Sequence, residues 1–192
     1  MNNMKRNLSS EKAEYIKKFI LNTRKIPGDV AEVGVSIGDS AEVICKNKGD
    51  VPIHLFDTFK GHPAEWIGKY DLGQTAGRHA ASLESVKKRL NKYPNVFYYE
   101  GIFPFTSDPV KDKMFSFVNL DTDLYKSTLA GLEFFYPRLS VGGVIGIDDS
   151  TYILGVGCAI IDFLTGMKSK GPETWQACSE YKMNQAFIKK IK

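Results

Sequence analysis

Two segments, residues 115–123 (FSFVNLDTD) and 142–149 (GGVIGIDD), run apolar and then stop in paired aspartates. A strand covered on both faces reads as a near-continuous apolar run, the pattern of parallel strands sandwiched between helices. A chain with two such runs is steered towards an α/β fold. In open parallel sheets, ligands bind beyond the carboxyl ends of the strands. If the two strands are neighbours, Asp121, Asp123, Asp148 and Asp149 meet in one crevice. Carboxylates about 4 Å apart repel by about 4 kcal/mol per pair at an effective dielectric of about 20. Such a cluster needs a divalent cation, a bound proton or a basic partner.

The rest of the chain supplies the helices that such strands require. Ser9 or Ser10 caps an N-terminal helix over 9–24, with Tyr15, Ile16, Phe19 and Ile20 as its apolar stripe. A short buried strand follows at 30–34 and a helix at 39–46. The second strand covers 52–56 and ends at Asp57. Residues 58–80 are polar and glycine-rich, with His62, Trp66, Tyr70 and His79; an irregular stretch of that length reads as a functional loop or lid. A helix over 82–91, strands at 96–100 and 115–121, a helix at 124–139, a Gly142–Gly143 turn, a strand at 144–148 and a helix at 157–165 continue the alternation. Strands at about 174–178 and 185–189 close the chain as an antiparallel hairpin. Alternating strand and helix through five units means a parallel sheet in a single domain over 1–192.

Composition narrows the class further. The net charge of +4, spread over chain ends and helix faces, reads as a solvated surface rather than a nucleic-acid stripe. No run approaches the roughly 18 apolar residues of a membrane span, and the N-terminus lacks the apolar core of a signal sequence. Three scattered cysteines, Cys45, Cys158 and Cys178, have no metal-ligand spacing and suit reduced thiols in a cytoplasmic protein.

Three further places carry chemistry. In 31–40 (AEVGVSIGDS), Gly34 and Gly38 lie between a strand and a helix, where backbone approaches a ligand at a helix N-terminus. Ser36 stands where a dinucleotide fingerprint has its second glycine, which counts against a pyrophosphate there. Asp57, about 20 residues on, is placed to accept the hydroxyls of an adenosine ribose; a plain loop cap is the alternative. The turn after the third strand, Glu100-Gly101-Ile102-Phe103, offers backbone and a ring to an adenine, or is a simple turn. In the aspartate cluster, the absence of cysteine or histidine in register favours a hard cation such as Mg²⁺, with one aspartate left over as a helix cap. His54 reads as structural, and His62 and His79 as loop residues within reach of the site.

With these residues in view, the runs DVAEVGVSIGDSA, LFDTFKGHP, YYEGIFPFT and VNLDTDLYKSTLAGLEFFYPRLSVGGVIGIDDS resemble the macrocin O-methyltransferase family over about 28–166. The resemblance implies a Rossmann-like class I methyltransferase: a seven-stranded, mostly parallel sheet with an antiparallel C-terminal strand and helices on both faces. It implies an S-adenosylmethionine- and Mg²⁺-dependent O-methyltransferase acting on a hydroxyl of a sugar or glycosylated metabolite. Carried over, Glu32, Gly34, Gly38 and Ser40 line the methionine end of the cofactor, Asp57 holds the ribose, and Gly101 lies at the adenine. Asp121, Asp148 and Asp149 hold the metal, with Asp123 supporting. Asp121 is the expected proton acceptor and His79 the second choice. Two departures stand out. Leu124 replaces the lysine that catechol-type enzymes carry three residues after the first metal aspartate, and His62 stands where the family more often has an apolar residue. The alternatives are a phenol or diol O-methyltransferase, a non-catalytic cofactor-binding scaffold, and an NAD-dependent oxidoreductase. Base rates among small enzymes add the expectation of a homodimer.

Overall fold

The computed structural model describes residues 8–167, 175–180 and 184–192. Its centre is a seven-stranded sheet in the order β3-β2-β1-β4-β5-β7-β6. The strands are β1 (Asp29–Val33), β2 (Ile53–Asp57), β3 (Val96–Glu100), β4 (Phe115–Leu120), β5 (Leu139–Ile147), β6 (Trp175–Glu180) and β7 (Gln185–Lys190). The first five pair in parallel, and β7 runs antiparallel to both β5 and β6. The expected C-terminal hairpin is present, although residues 174 and 181–183 lie outside the described residues.

Among the described residues, five α-helices cover the sheet: α1 (Ser10–Thr23), α2 (Asp39–Asn47), α3 (Leu83–Leu90), α4 (Tyr125–Arg138) and α5 (Leu154–Met167). None of the helices among the described residues is long and apolar enough to cross a membrane. Helix α1 begins where the sequence predicts, because Ser9 caps it by accepting from Lys12 N. The period of two along each strand sorts side chains between two cores. Val30, Ile53, Leu55 and Phe117 face Ile16 and Ile20 of α1, Ile44 of α2 and Leu90 of α3. Ala31, Val33, Phe56, Val118, Leu120, Ile145 and Ile147 face Leu132 and Phe135 of α4 and Val156 of α5. Glu32 and Asn119 share parity with Val30 and Phe117, so both point to the α1 face. Asp121 and Asp148, just past their strands, continue the same alternation.

Two boundaries differ from the sequence reading. Gly142–Gly143 is not a turn between helix and strand: α4 ends at Arg138, and β5 starts at Leu139 and runs straight through both glycines. The β4–β5 register shifts between Phe115 and Phe117, and Gly142 takes φ +85° on this stretch, so an irregular strand absorbs what looked like a turn. Helix α5 begins three residues earlier than expected, at Leu154. Phe103 stacks on Phe135 at 5.3 Å and meets Phe56 edge-on in the core, and its other side lines the cavity beyond the strand ends.

The order of strands places the site. From β1 the chain winds outward through β2 and β3, whereas β4 and β5 lie on its other side. The direction reverses between β1 and β4, which opens a crevice beyond their carboxyl ends.

Candidate functional site

A cavity of about 870 Å³ occupies that crevice. Gly34, Asp57, Gly101, Asp121, Asp148 and Asp149 reach it from the strand ends, His62 and His79 from the 58–80 loop, and Lys12 from α1. Its size falls in the range of small-molecule and cofactor sites.

The glycine turn is shaped by contacts on the protein side. Gly34, at φ +87°, lies so close to β4 that a Cβ there would collide with the Asp121 carbonyl. Gly38, at φ +82°, is the left-handed cap that starts α2. Arg89 of α3 donates to the Ile37 carbonyl at 3.0 Å and pairs with Asp39 and Glu42, which clamps this turn to the next helix. Asp57 holds the turn from the other side. Its Oδ2 accepts from Val35 N and Ser36 N at 2.7 and 2.8 Å, and its Oδ1 from Phe59 N at 2.6 Å. A carboxylate has about four acceptor sites, so three backbone bonds leave one for a ligand hydroxyl.

Glu32 sits elsewhere than expected: it is fully buried in the sheet and does not reach the cavity surface. Its Oε1 accepts from Asn119 Nδ2 at 2.8 Å, while Oε2 has no hydrogen-bond partner. Burial pushes its carboxyl up to about 7, against the opposing influence of nearby Ser40 and Asn119. Ser40 itself lines the cavity, and Gly101 turns at φ +140° against Thr106.

The four aspartates do converge on the crevice, and they divide into two groups. Asp121 is held well above the usual carboxylate range, first by burial and then by Asp148, Asp123, Glu32 and Asp149. Asp148 is also raised, by burial and by Asp149, with Lys12 and Gln185 opposing. The feature that sequence reasoning missed is Lys12. Its Nζ donates to Asp148 Oδ2 at 2.8 Å and Asp149 Oδ1 at 2.9 Å across more than 130 residues of chain. Burial works against the ammonium, but the two carboxylates outweigh it and raise its pKa. Among the described residues, Lys12 thus serves Asp148 and Asp149, while Asp121 has no cationic partner. Three carboxylates with excess negative charge are a hard, oxygen-only donor set, and such a set fits a Mg²⁺-class ion.

Asp123 belongs to the second group. It takes φ +58°, and its Oδ2 lies 3.3 Å from His79 Nε2 and 3.6 Å from His62 Nε2. It does not cap α4. That task falls to Asp71, a buried loop residue whose Oδ1 accepts from Tyr125 N at 2.8 Å and whose Oδ2 accepts from Gly68 N at 2.8 Å. Asp71 thereby ties the 58–80 loop to the helix that follows Asp123. The loop is also closed at its neck, where His62 N donates to the Arg78 carbonyl and Gly77 N to the His62 carbonyl, each at 3.0 Å. His54 is structural as expected, bonded to Asp29 at 2.8 Å and Tyr99 at 2.9 Å. An aspartate in a glycine-rich loop is too ordinary to mark Asp71 from sequence, and a lysine in a helical first turn is too ordinary to mark Lys12.

This arrangement has known relatives. The chain is 30% identical over 139 residues to the 8-demethyl-8-(2,3-dimethoxy-alpha-L-rhamnosyl)-tetracenomycin-C 4'-O-methyltransferase of Streptomyces olivaceus, covering 65% of this chain and 53% of that protein. It is 27% identical over 139 residues to the demethyldecarbamoylnovobiocin O-methyltransferase of Streptomyces niveus, with the same coverage of 65% and 53%. The chain therefore spans about half the length of these curated relatives. The solved structure of the O-methyltransferase NovP superposes with a TM-score of 0.75 at 21% identity, over 95% of this chain and 80% of that one. The two proteins thus share a fold. The model of the macrocin-O-methyltransferase (TylF) family matches residues 11–174, and the chain belongs to that family.

Proposed function

We propose that this protein is an S-adenosylmethionine-dependent O-methyltransferase that methylates a hydroxyl of a sugar or glycosylated metabolite. The observation that carries the reading is the meeting of the Gly34–Gly38 turn, Asp57 and the aspartates around one cavity at the reversal point of the sheet. The relative from Streptomyces olivaceus acts, by its name, on a rhamnosyl position. In this reading Gly34 and Ser40 bring backbone and hydroxyl to the methionine end of the cofactor, while Gly38, expected there too, faces Val86 and Arg89 and only shapes the turn. The free acceptor site of Asp57 takes a ribose hydroxyl, and Gly101 flanks the adenine. Asp121, Asp148 and Asp149 would hold a Mg²⁺ ion in the place Lys12 Nζ now serves, and such an ion would make an acceptor hydroxyl more acidic.

The chain's own residues do the remaining work. The transferred methyl leaves a sulfonium sulfur as the acceptor oxygen loses its proton. Asp121, which lines the cavity, takes that proton. His79 is the second candidate for this role. The loop neck and the Asp71 tether hold His62, His79 and Asp123 over the crevice and limit water.

The test is calorimetry with S-adenosylhomocysteine, followed by transfer of labelled methyl to a panel of rhamnosylated acceptors with and without EDTA. Binding that is lost in Asp57→Ala, with turnover suppressed by EDTA, is expected. A protein that ignores S-adenosylhomocysteine and binds NADH overturns the reading, and binding with no turnover on any acceptor makes it a scaffold. Full activity in EDTA removes the metal role.

A further inference from the structure

We propose that His62, His79 and Asp123 form a separate binding site for a first-row transition metal of the Zn²⁺ class. This goes beyond the methyl-transfer reading and does not depend on it. One ring nitrogen from each histidine and one oxygen of Asp123 all lie within 4.8 Å of one another. Ligands on bonds of about 2.1 Å at tetrahedral angles sit about 3.4 Å apart. The two histidine-to-aspartate separations, 3.3 and 3.6 Å, bracket that value.

The same separations are poor for hydrogen bonds, which peak near 2.9 Å. The contrast lies within the protein, where His54 meets Asp29 at 2.8 Å. Arg78 Nε lies 3.0 Å from His79 Nε2, and an incoming ion takes over the lone pair that this guanidinium holds. His62 adds a desolvated ligand, with a side chain 9% exposed and Nδ1 buried without a partner.

The backbone assembles the set before any ion arrives. The paired hydrogen bonds between His62 and residues 77–78 bring the two histidines to one loop neck. His79 and Asp123 both take left-handed backbone, at φ +64° and +58°, which turns them towards each other. His79 is 45% exposed and leaves a way in from the cavity. Three protein ligands with one side open is the form of a site that keeps a position for water or substrate. Two imidazoles and one carboxylate suit Zn²⁺ or Co²⁺, whereas the all-carboxylate set of Asp121, Asp148 and Asp149 suits Mg²⁺. Ligand chemistry thus sorts two ions between neighbouring sites with no shared ligand.

The test uses Co²⁺ as probe on the untagged full chain, stripped with chelator and then supplied with excess Mg²⁺ to fill the carboxylate set. Visible absorption reports coordination, because Co²⁺ in a tetrahedral imidazole site absorbs far more strongly than Co²⁺ among six oxygens. Saturation at about one equivalent is expected. Affinity should fall tenfold or more in His79→Ala and in His62→Ala, and stay within twofold of wild type in Asp148→Asn. Thermal melts check folding; if His62→Ala does not fold, the half-exposed His79 decides the matter alone. A weak all-oxygen spectrum, no saturable uptake, or binding kept by His79→Ala and lost by Asp148→Asn overturns the proposal.

Discussion

Replacing the buried carboxyl of Glu32 by an amide is expected to remove a pH-dependent load on stability. Glu32 is fully buried, with its carboxyl pushed up to about 7 from an ordinary 4.5, first by desolvation. The folded state therefore binds this proton more tightly than the unfolded chain does. Its contribution is greatest below the unfolded value, declines as pH rises from 4.5 towards 7, and is flat above. The full span is on the order of 3 kcal/mol, of which about 2.5 kcal/mol falls between about pH 5 and about pH 8.5. Glu32→Gln keeps the shape and an acceptor for Asn119 Nδ2, and it cannot ionise. Urea unfolding of both proteins at the two pH values, with unchanged m-values, isolates the term by difference. The variant should gain about 2.5 kcal/mol on the wild type as pH rises across this window. A difference that is flat with pH, or that moves in favour of the wild type at high pH, refutes the argument that burial dominates at Glu32.

Three other outcomes follow from the geometry. Gly34→Ala forces a Cβ into the Asp121 carbonyl and a side chain onto a positive φ; a loss of about 3 kcal/mol or more is expected, read as a lowered Tm or as insoluble protein. Asp71→Ala removes the cap of α4 and the loop tether together. It should cost about 1–2 kcal/mol and speed hydrogen exchange at Tyr125 and along 61–80, while exchange in β1 stays unchanged. Lys12→Met takes the internal cation from Asp148 and Asp149, so Mg²⁺ affinity by calorimetry should rise by about tenfold, a gain of about 1.4 kcal/mol; an unchanged or weaker affinity counts against displacement of Lys12 by the metal.

Much of the fold was legible because its signals are local. Apolar runs identified β1, β2, β4 and β5, and Ser9 and Ser82 marked helix starts by their own hydroxyls. The boundary at Gly142–Gly143 was misread because glycine pairs also serve irregular strands, and pairing with β4 decides between the two uses. In the site, the aspartates were visible as carboxylates stranded at the ends of apolar runs. Glu32 was visible too, but its burial was not. Whether a residue next to a glycine turn faces the ligand or the sheet depends on strand parity, which the turn itself does not reveal.

The sequence by itself determined the parallel sheet, its order of strand and helix, and which carboxylates end at its ligand edge, because apolar periodicity and turn residues act over a few positions. Tertiary structure alone decided the partners of those carboxylates. Lys12 meets Asp148 and Asp149 because α1 packs on the face towards which the parity of β5 turns Asp148. His62 and His79 meet Asp123 because a loop closed by its own backbone and tied by Asp71 folds back over β4. Charge pairing is set by distance in space, and no spacing along the chain encodes a contact made across more than 130 residues.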